Sequence, residues 1–187
     1  MSARYLLVGL GNPGREYVNT RHNAGFWLID SFVGGRNFEL IHKAKMAGYV
    51  GQVEVNGDSW VVLKPATYMN RSGVAVRKVS QYFDVTVENI LVAHDELDFE
   101  PGIIRFKRGG GHGGHNGLRD IIAQLGDSGF SRLRVGIGRS GEMASYVLKP
   151  PSKYQRADID SAIVKVSQLL PGLVGERSQQ AIQELHA

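Results

Sequence analysis

The chain of 187 residues contains no cysteine. Thiol nucleophiles, thiolate metal sites and disulfide frameworks are therefore excluded. Nothing points to an oxidising compartment, so the cytoplasm is the expected location. No apolar run approaches the roughly 18 residues needed to cross a bilayer. The opening Met1 to Leu10 is too short and too glycine-interrupted for a signal peptide, and reads as a first strand. No serine sits in a G-x-S-x-G elbow, and no glycine loop ends in the Gly-Lys-Ser/Thr of a nucleotide-binding P-loop. The remaining composition is ordinary for a soluble protein, with 42% apolar residues. The length predicts one domain over residues 1–187 with a substantial core. A net charge of +4 permits a nucleic-acid partner without demanding one.

Hydrophobic patterning predicts alternating strands and helices. Tyr5–Gly9, Ile90–Ala93 and Leu133–Ile137 are short buried strands, and Ile103–Lys107 alternates apolar and basic residues as a half-exposed strand does. Ala47–Val55 and Trp60–Leu63 form a hairpin about Asn56-Gly57. Helices are expected over Asn23–Val33, from Ser72 through Phe83, from Gly117 or Leu118 to Leu125, over Ile159–Leu170 and over Glu176–Leu185. Ser72 and Asn116 are the expected caps of the second and third. One hairpin among strand–helix alternations gives an α/β sandwich with a mixed β-sheet flanked by helices.

Two stretches carry the chemistry. His22 lies in Thr20-Arg21-His22-Asn23-Ala24-Gly25-Phe26, at a helix start whose dipole should favour a neutral imidazole. Asp95 lies in His94-Asp95-Glu96-Leu97-Asp98, emerging where a buried strand ends. Ligands of open α/β sheets gather at that edge. A base and a carboxylate to orient it are enough to activate a water. Three loops add amides able to meet a developing oxyanion: Asn12 in Gly11-Asn12-Pro13-Gly14, Asn70 in Met69-Asn70-Arg71-Ser72-Gly73, and Asn116 at the end of the glycine run 109–117. Together they suggest a hydrolytic site.

Competing readings are weaker. Gly9-Leu10-Gly11-Asn12-Pro13-Gly14 matches the dinucleotide fingerprint, but Pro13-Gly14 favours a tight turn and the next helix starts too late. His112-x-x-His115 has ligand spacing but is surrounded by glycines with no helix to hold it, so no metal is expected. Lys107-Arg108, Arg132 and Arg134 flank the glycine run and could hold phosphates, with Arg132 and Arg134 on one face of a strand.

Taken in order, Val8 to Gly14, Thr20 to Phe26, Lys64-Pro65-Ala66-Thr67-Tyr68-Met69-Asn70-Arg71-Ser72-Gly73, His94 to Asp98 and Gly109 to Gly117 resemble the motifs of bacterial peptidyl-tRNA hydrolases along nearly the whole chain. The resemblance implies hydrolysis of the ester joining a peptide to the 3′-terminal adenosine of tRNA, by a monomer with a twisted mixed sheet and without metal or other cofactor. It implies His22 as general base and Asp95 as its orienting partner. Asn12, Tyr17, Met69, Asn70 and Asn116 would bind substrate. Lys107 and Arg134 would meet tRNA phosphate at the acceptor end, and Arg108 is added as their neighbour. Tyr68 stands where the family often has Phe. The stretch 138–147 reads as shorter than the loop that helps cover the cleft in the family.

Overall fold

Alternation along β1 (Arg4–Gly9) builds both faces of the sheet: Tyr5 and Leu7 enter one apolar cluster, Leu6 and Val8 the other. The structure, a computed structural model, describes residues 2–187. Seven strands form one sheet in the order β2-β3-β4-β1-β5-β7-β6. The strands other than β1 are β2 (Ile41–Lys43), β3 (Gly48–Val55), β4 (Asp58–Pro65), β5 (Ile90–Glu96), β6 (Ile104–Arg108) and β7 (Ser131–Gly136). The central run β4-β1-β5-β7 is parallel, whereas β2, β3 and β6 add on antiparallel. The mixed sheet predicted from the hairpin among strand–helix alternations is present.

The first cluster packs α1 (Ala24–Gly34), α5 (Lys153–Leu169) and α6 (Gln179–His186) on the sheet through Trp27, Leu28, Phe32, Ile159, Ile163, Val166 and Leu185. The second packs α2 (Ser72–Tyr82) and α3 (Asn116–Leu125) through Val76, Val79, Leu118 and Ile121. This second face is apolar over β1 and β4. Over β5, β7 and β6 it changes character: His94, Arg132, Arg134, Arg105 and Lys107 share it by register. That polar corner lies beyond the helix cover and becomes the floor of a cleft.

The hairpin turn holds Asn56 and Gly57 both at positive φ, as a two-residue type I′ turn requires. Two elements escaped the sequence reading. β2 has three residues, all exposed, and so carries no periodicity. α4 (Met143–Val147) has five residues, too few to display a helical repeat. Ser72 does not cap α2 from outside: it is the first helical residue, and its hydroxyl donates to the Met69 carbonyl at 2.7 Å.

The glycine fingerprint opens no helix. After Gly14 the chain makes a 3-10 turn at Arg15–Tyr17, and α1 begins only at Ala24. Its glycines serve packing instead. A Cβ on Gly11 would enter the Phe26 ring and one on Gly9 would strike Ile29 and the Gly25 carbonyl; on the helix side of the same contact, a Cβ on Gly25 would strike the backbone of Leu10 and Ala93. The start of α1 thus lies directly on β1 and β5. That contact brings the turn before α1 to the end of β5.

Candidate active site

His22 occupies the middle of a 3-10 turn, Arg21–Asn23, that leads into α1. Its Nδ1 lies 2.9 Å from Oδ2 of Asp95, near the C-terminal end of β5. Asp95 is 4% exposed. Burial works against its charge, but His22 and then His115 outweigh burial and hold the carboxyl well below the usual carboxylate range. Burial likewise disfavours an imidazolium at His22. The Asp95 charge and hydrogen bond overcome it, so the pKa is raised. The expected lowering by the helix dipole does not occur, because a full charge in direct contact outweighs the partial charge of a helix terminus. With Nδ1–H donated to Asp95, the neutral ring carries its lone pair on Nε2.

Asp95 has a second imidazole partner that the sequence reading missed. His115 Nε2 lies 2.7 Å from Oδ1. The other nitrogen of His115 accepts from the backbone N–H groups of Gly117 at 3.1 Å and Leu118 at 3.3 Å. An Nδ1 that accepts leaves the proton on Nε2, so the helix cap fixes the tautomer that faces Asp95. His115 is therefore the cap of α3, and Asn116, the expected cap, is its first residue. The Asn116 side-chain oxygen instead accepts from Arg119 at 2.7 Å. A histidine can cap only through an acceptor nitrogen, which propensity rules built on Ser, Thr, Asn and Asp do not anticipate. His94 stands edge-on to His115 at 5.1 Å. It donates from Nδ1 to the Asp95 carbonyl at 2.9 Å, and its buried Nε2 has no partner among the described residues. Burial first, then the neighbouring His115, pushes its pKa down to about 3.

The amide loops are tied to one another. Asn12 accepts the Met69 N–H on Oδ1 at 2.7 Å. Its own N–H donates to Asn23 Oδ1 at 2.9 Å, and its carbonyl accepts from Asn23 Nδ2 at 3.0 Å. Asn12 thus braces the loops after β1 and β4, with Nδ2 as its remaining donor. Met69 is 4% exposed and packs beneath Gly117, where a Cβ would meet its sulfur. Asn70 is exposed. Tyr17 meets Tyr68 edge to face at 6.2 Å. A cleft of about 620 Å³ gathers His22, Asp95, His115, Asn116, Lys107 and Arg134, with Met143, Ala144 and Val147 of α4 among its other lining residues. Asn12 lines a separate groove of about 770 Å³ beside α1. Tyr17, Met69, Asn70 and Arg108 line neither.

A family model described as peptidyl-tRNA hydrolase matches residues 6–187. The chain belongs to the peptidyl-tRNA hydrolase family. It is similar to the peptidyl-tRNA hydrolase of Methylococcus capsulatus, 50% identical over 184 residues, covering 97% of this chain and 98% of that one. The peptidyl-tRNA hydrolase of Neisseria gonorrhoeae is 46% identical over 186 residues, covering 97% and 96%. The crystal structure of peptidyl-tRNA hydrolase from Acinetobacter baumannii superposes with a TM-score of 0.94 at 43% identity, covering 100% of this chain and 96% of that one.

In this member of the peptidyl-tRNA hydrolase family the basic residues have different settings. Lys107 is exposed on the cleft side of β6. Arg134 lies over the Phe99 ring at 4.6 Å and 3.7 Å from Glu96, a loose pair. Arg132 is 2% exposed, and its guanidinium donates to the carbonyls of Gly110, Gly111 and Ser128. It holds the glycine loop in place and is not part of an open basic patch. Arg108 points to the opposite face of β6, where it donates to Ser178 Oγ at 2.6 Å. Adjacent strand residues face opposite ways, so Arg108 does not share the face of its neighbour Lys107, as the sequence reading expected it to. Arg105, which the sequence reading passed over, shares the Lys107 face and pairs in register with Arg134.

The ligand-like pair His112 and His115 does not converge. His112 Nδ1 accepts from Gly114, and both nitrogens of His115 are engaged elsewhere. Donor atoms of His22, Asp95 and His115 do lie within 4.8 Å of one another. Both imidazoles are hydrogen-bonded to the carboxylate, so a cation would enter only by displacing those protons.

Proposed function

We propose that the chain hydrolyses the ester between the C-terminal carboxyl of a peptide and the 3′-terminal adenosine of tRNA, with His22 as base. The observation that carries this reading is the 2.9 Å contact of His22 Nδ1 with a buried, ionised Asp95 at the wall of an open cleft. His22 Nε2 takes a proton from water as the water oxygen attacks the ester carbonyl. Asp95 holds the tautomer and stabilises the imidazolium that forms. The amides of Asn70 and Asn12 are the oxyanion donors in this reading; neither lines the His22 cleft, so the ester carbonyl must point from that cleft toward the Asn12 loop, and one such donor is worth roughly 2.7–4 kcal/mol. The intermediate then collapses. The C–O bond to the ribose breaks, and the departing 3′ oxygen takes the proton back from His22. No step needs a metal. Asn116, on the cleft wall, helps seat the peptide and the water, while Met69 supports the glycine loop from beneath Gly117 and Tyr17 acts from outside the cleft lining.

Lys107, Arg134 and Arg105 bind phosphate of the tRNA acceptor end. Two like-charged residues paired across strands cost stability unless anions neutralise them; Arg105 with Arg134 is such a pair, and Glu96 at 3.7 Å offsets only Arg134 and only loosely. Arg108, turned away to Ser178, is left out of this set. The enzyme works as a single-domain monomer in the cytoplasm. That fits a chain with no cysteine and no helix, among the described residues, long and apolar enough to cross a membrane.

The test is incubation with N-acetyl-aminoacyl-tRNA and with free aminoacyl-tRNA, each with and without chelator. Release of tRNA from the blocked substrate, unchanged by chelator, with the free substrate largely spared, is expected. Loss on chelation and recovery with zinc would overturn the metal-free step.

A further inference from the structure

The turn that carries His22 is held from three sides by three consecutive residues. His22 reaches Asp95, and Asn23 exchanges two hydrogen bonds with the backbone of Asn12. Arg21 reaches the third wall. Its N–H donates to the Lys149 carbonyl at 3.1 Å, and its Nη1 donates to the carbonyls of Tyr146 at 3.0 Å and Lys149 at 3.3 Å. The guanidinium lies 3.7 Å from the centre of the Tyr146 ring. Arg21 is 8% exposed, unusual for an arginine with no carboxylate partner among the described residues. Tyr146 is fixed in turn, its hydroxyl donating to the Ile137 carbonyl at 2.7 Å just beyond β7. Tyr146 belongs to α4, whose Met143, Ala144 and Val147 line the cleft that His22 lines from the other side.

We infer that Arg21 is a positioning residue of the reaction: it locks the α4 wall of the cleft to the turn that carries the base, so that substrate seat and His22 keep one fixed spacing. A one-turn helix has too few internal hydrogen bonds to hold its own place. The carbonyls at its end need donors, and Arg21 supplies them from the residue next to the base. A planar guanidinium can stack on the Tyr146 ring and donate to two carbonyls at once. An ammonium can do only part of this.

The inference rests on His22 being the base, and the experiment separates the two. Arg21→Met and Arg21→Lys are compared with wild type, with His22→Ala and with Val166→Ala. The last is a core truncation in α5 that lowers Tm without touching the turn. All are assayed on N-acetyl-aminoacyl-tRNA well below their Tm. Arg21→Met should lose about tenfold to a hundredfold in kcat, as a misplacement of about 1 Å does, with a raised KM. Its acid limb should move to lower pH, because a loosened turn weakens the His22–Asp95 contact. The charged and titratable groups facing His22 are Asp95 from β5 and His115 ahead of α3. Arg21→Lys should recover part of kcat, and Val166→Ala should match wild type in kcat, KM and limb. If Arg21→Met does not fold, Arg21→Lys decides by the same limb and kcat. Wild-type kcat, KM and acid limb in the Arg21 variant that folds would overturn the inference and leave Arg21 a purely structural strap. An active His22→Ala would instead sink the base assignment itself.

Discussion

His115 Nε2 donates to Asp95 Oδ1 at 2.7 Å while its Nδ1 caps α3, so the carboxylate proposed to orient His22 is tied to the glycine loop as well. His115→Ala removes a cap worth about 1 kcal/mol and one of the two imidazoles on Asp95. It should lower Tm and reduce kcat by about tenfold, within the range for loss of an orienting hydrogen bond. Steady-state kinetics and thermal unfolding of the same preparation check both. An unchanged kcat with a lowered Tm would confine His115 to the cap.

The dyad makes a steeper demand. His22→Ala should abolish nearly all turnover while tRNA binding survives, because the base acts in the chemical step. Asp95→Asn should be damaging but less complete. It keeps the shape while presenting a neutral group, and in place of one carboxylate oxygen a nitrogen that cannot accept. Single-turnover rates alongside a binding isotherm separate the two effects. Retained turnover in His22→Ala would reassign the base.

The pH profile follows from the pair. The base must be neutral to act, so kcat/KM should rise with pH through the His22 pKa. Burial opposes the charge, but Asp95 prevails and raises that pKa, so the acid limb should lie above the usual imidazole range. In Asp95→Asn the limb should move to lower pH. A limb at the same pH in both enzymes would remove Asp95 as the cause.

His94 predicts an acid sensitivity of the fold. Its pKa is pushed from 6.5 to about 3, chiefly by burial, so the folded state binds fewer protons than the unfolded one between those values. Stability should therefore fall as pH drops through that window. His186, also lowered chiefly by burial, shares the sign. His22 has the opposite sign: its raised pKa stabilises below the unfolded value, and that contribution fades as pH rises through the folded one. Urea midpoints across pH for His94→Gln, subtracted from wild type, isolate the His94 contribution. Parallel curves would exclude it.

Lys107→Ala, Arg134→Ala and Arg105→Ala should raise KM for full tRNA substrates and flatten its salt dependence, because each phosphate contact releases counterions. A blocked amino acid on a short 3′ fragment should be affected little. Arg108→Ala, on the other face of β6, should leave the salt slope unchanged. Equal losses on both substrates would place the basic face in the chemistry or the fold.

The sequence determined every strand but the short, exposed β2, together with the main helices, the hairpin and the resemblance that places the chain among peptidyl-tRNA hydrolases, because periodicity, turn residues and motif order are local quantities. It also named His22 and Asp95, each within a distinctive stretch. Only the tertiary structure decided how those residues are used. The 20-position separation of Asp95 and His115 conceals a 2.7 Å contact, made when β5 and the start of α3 converge at one sheet edge. Arg132 and Arg134 look alike in sequence and both reach the cleft, yet the first is buried with its guanidinium spent on glycine-loop carbonyls, whereas the second is half-buried and held only loosely by Glu96. Lys107 and Arg108 are adjacent, yet the pleat sends them to opposite faces. The sign of the His22 shift was misjudged for the same reason: a helix start can be read locally, whereas a carboxylate 73 residues away reaches the ring only through packing of α1 on β5.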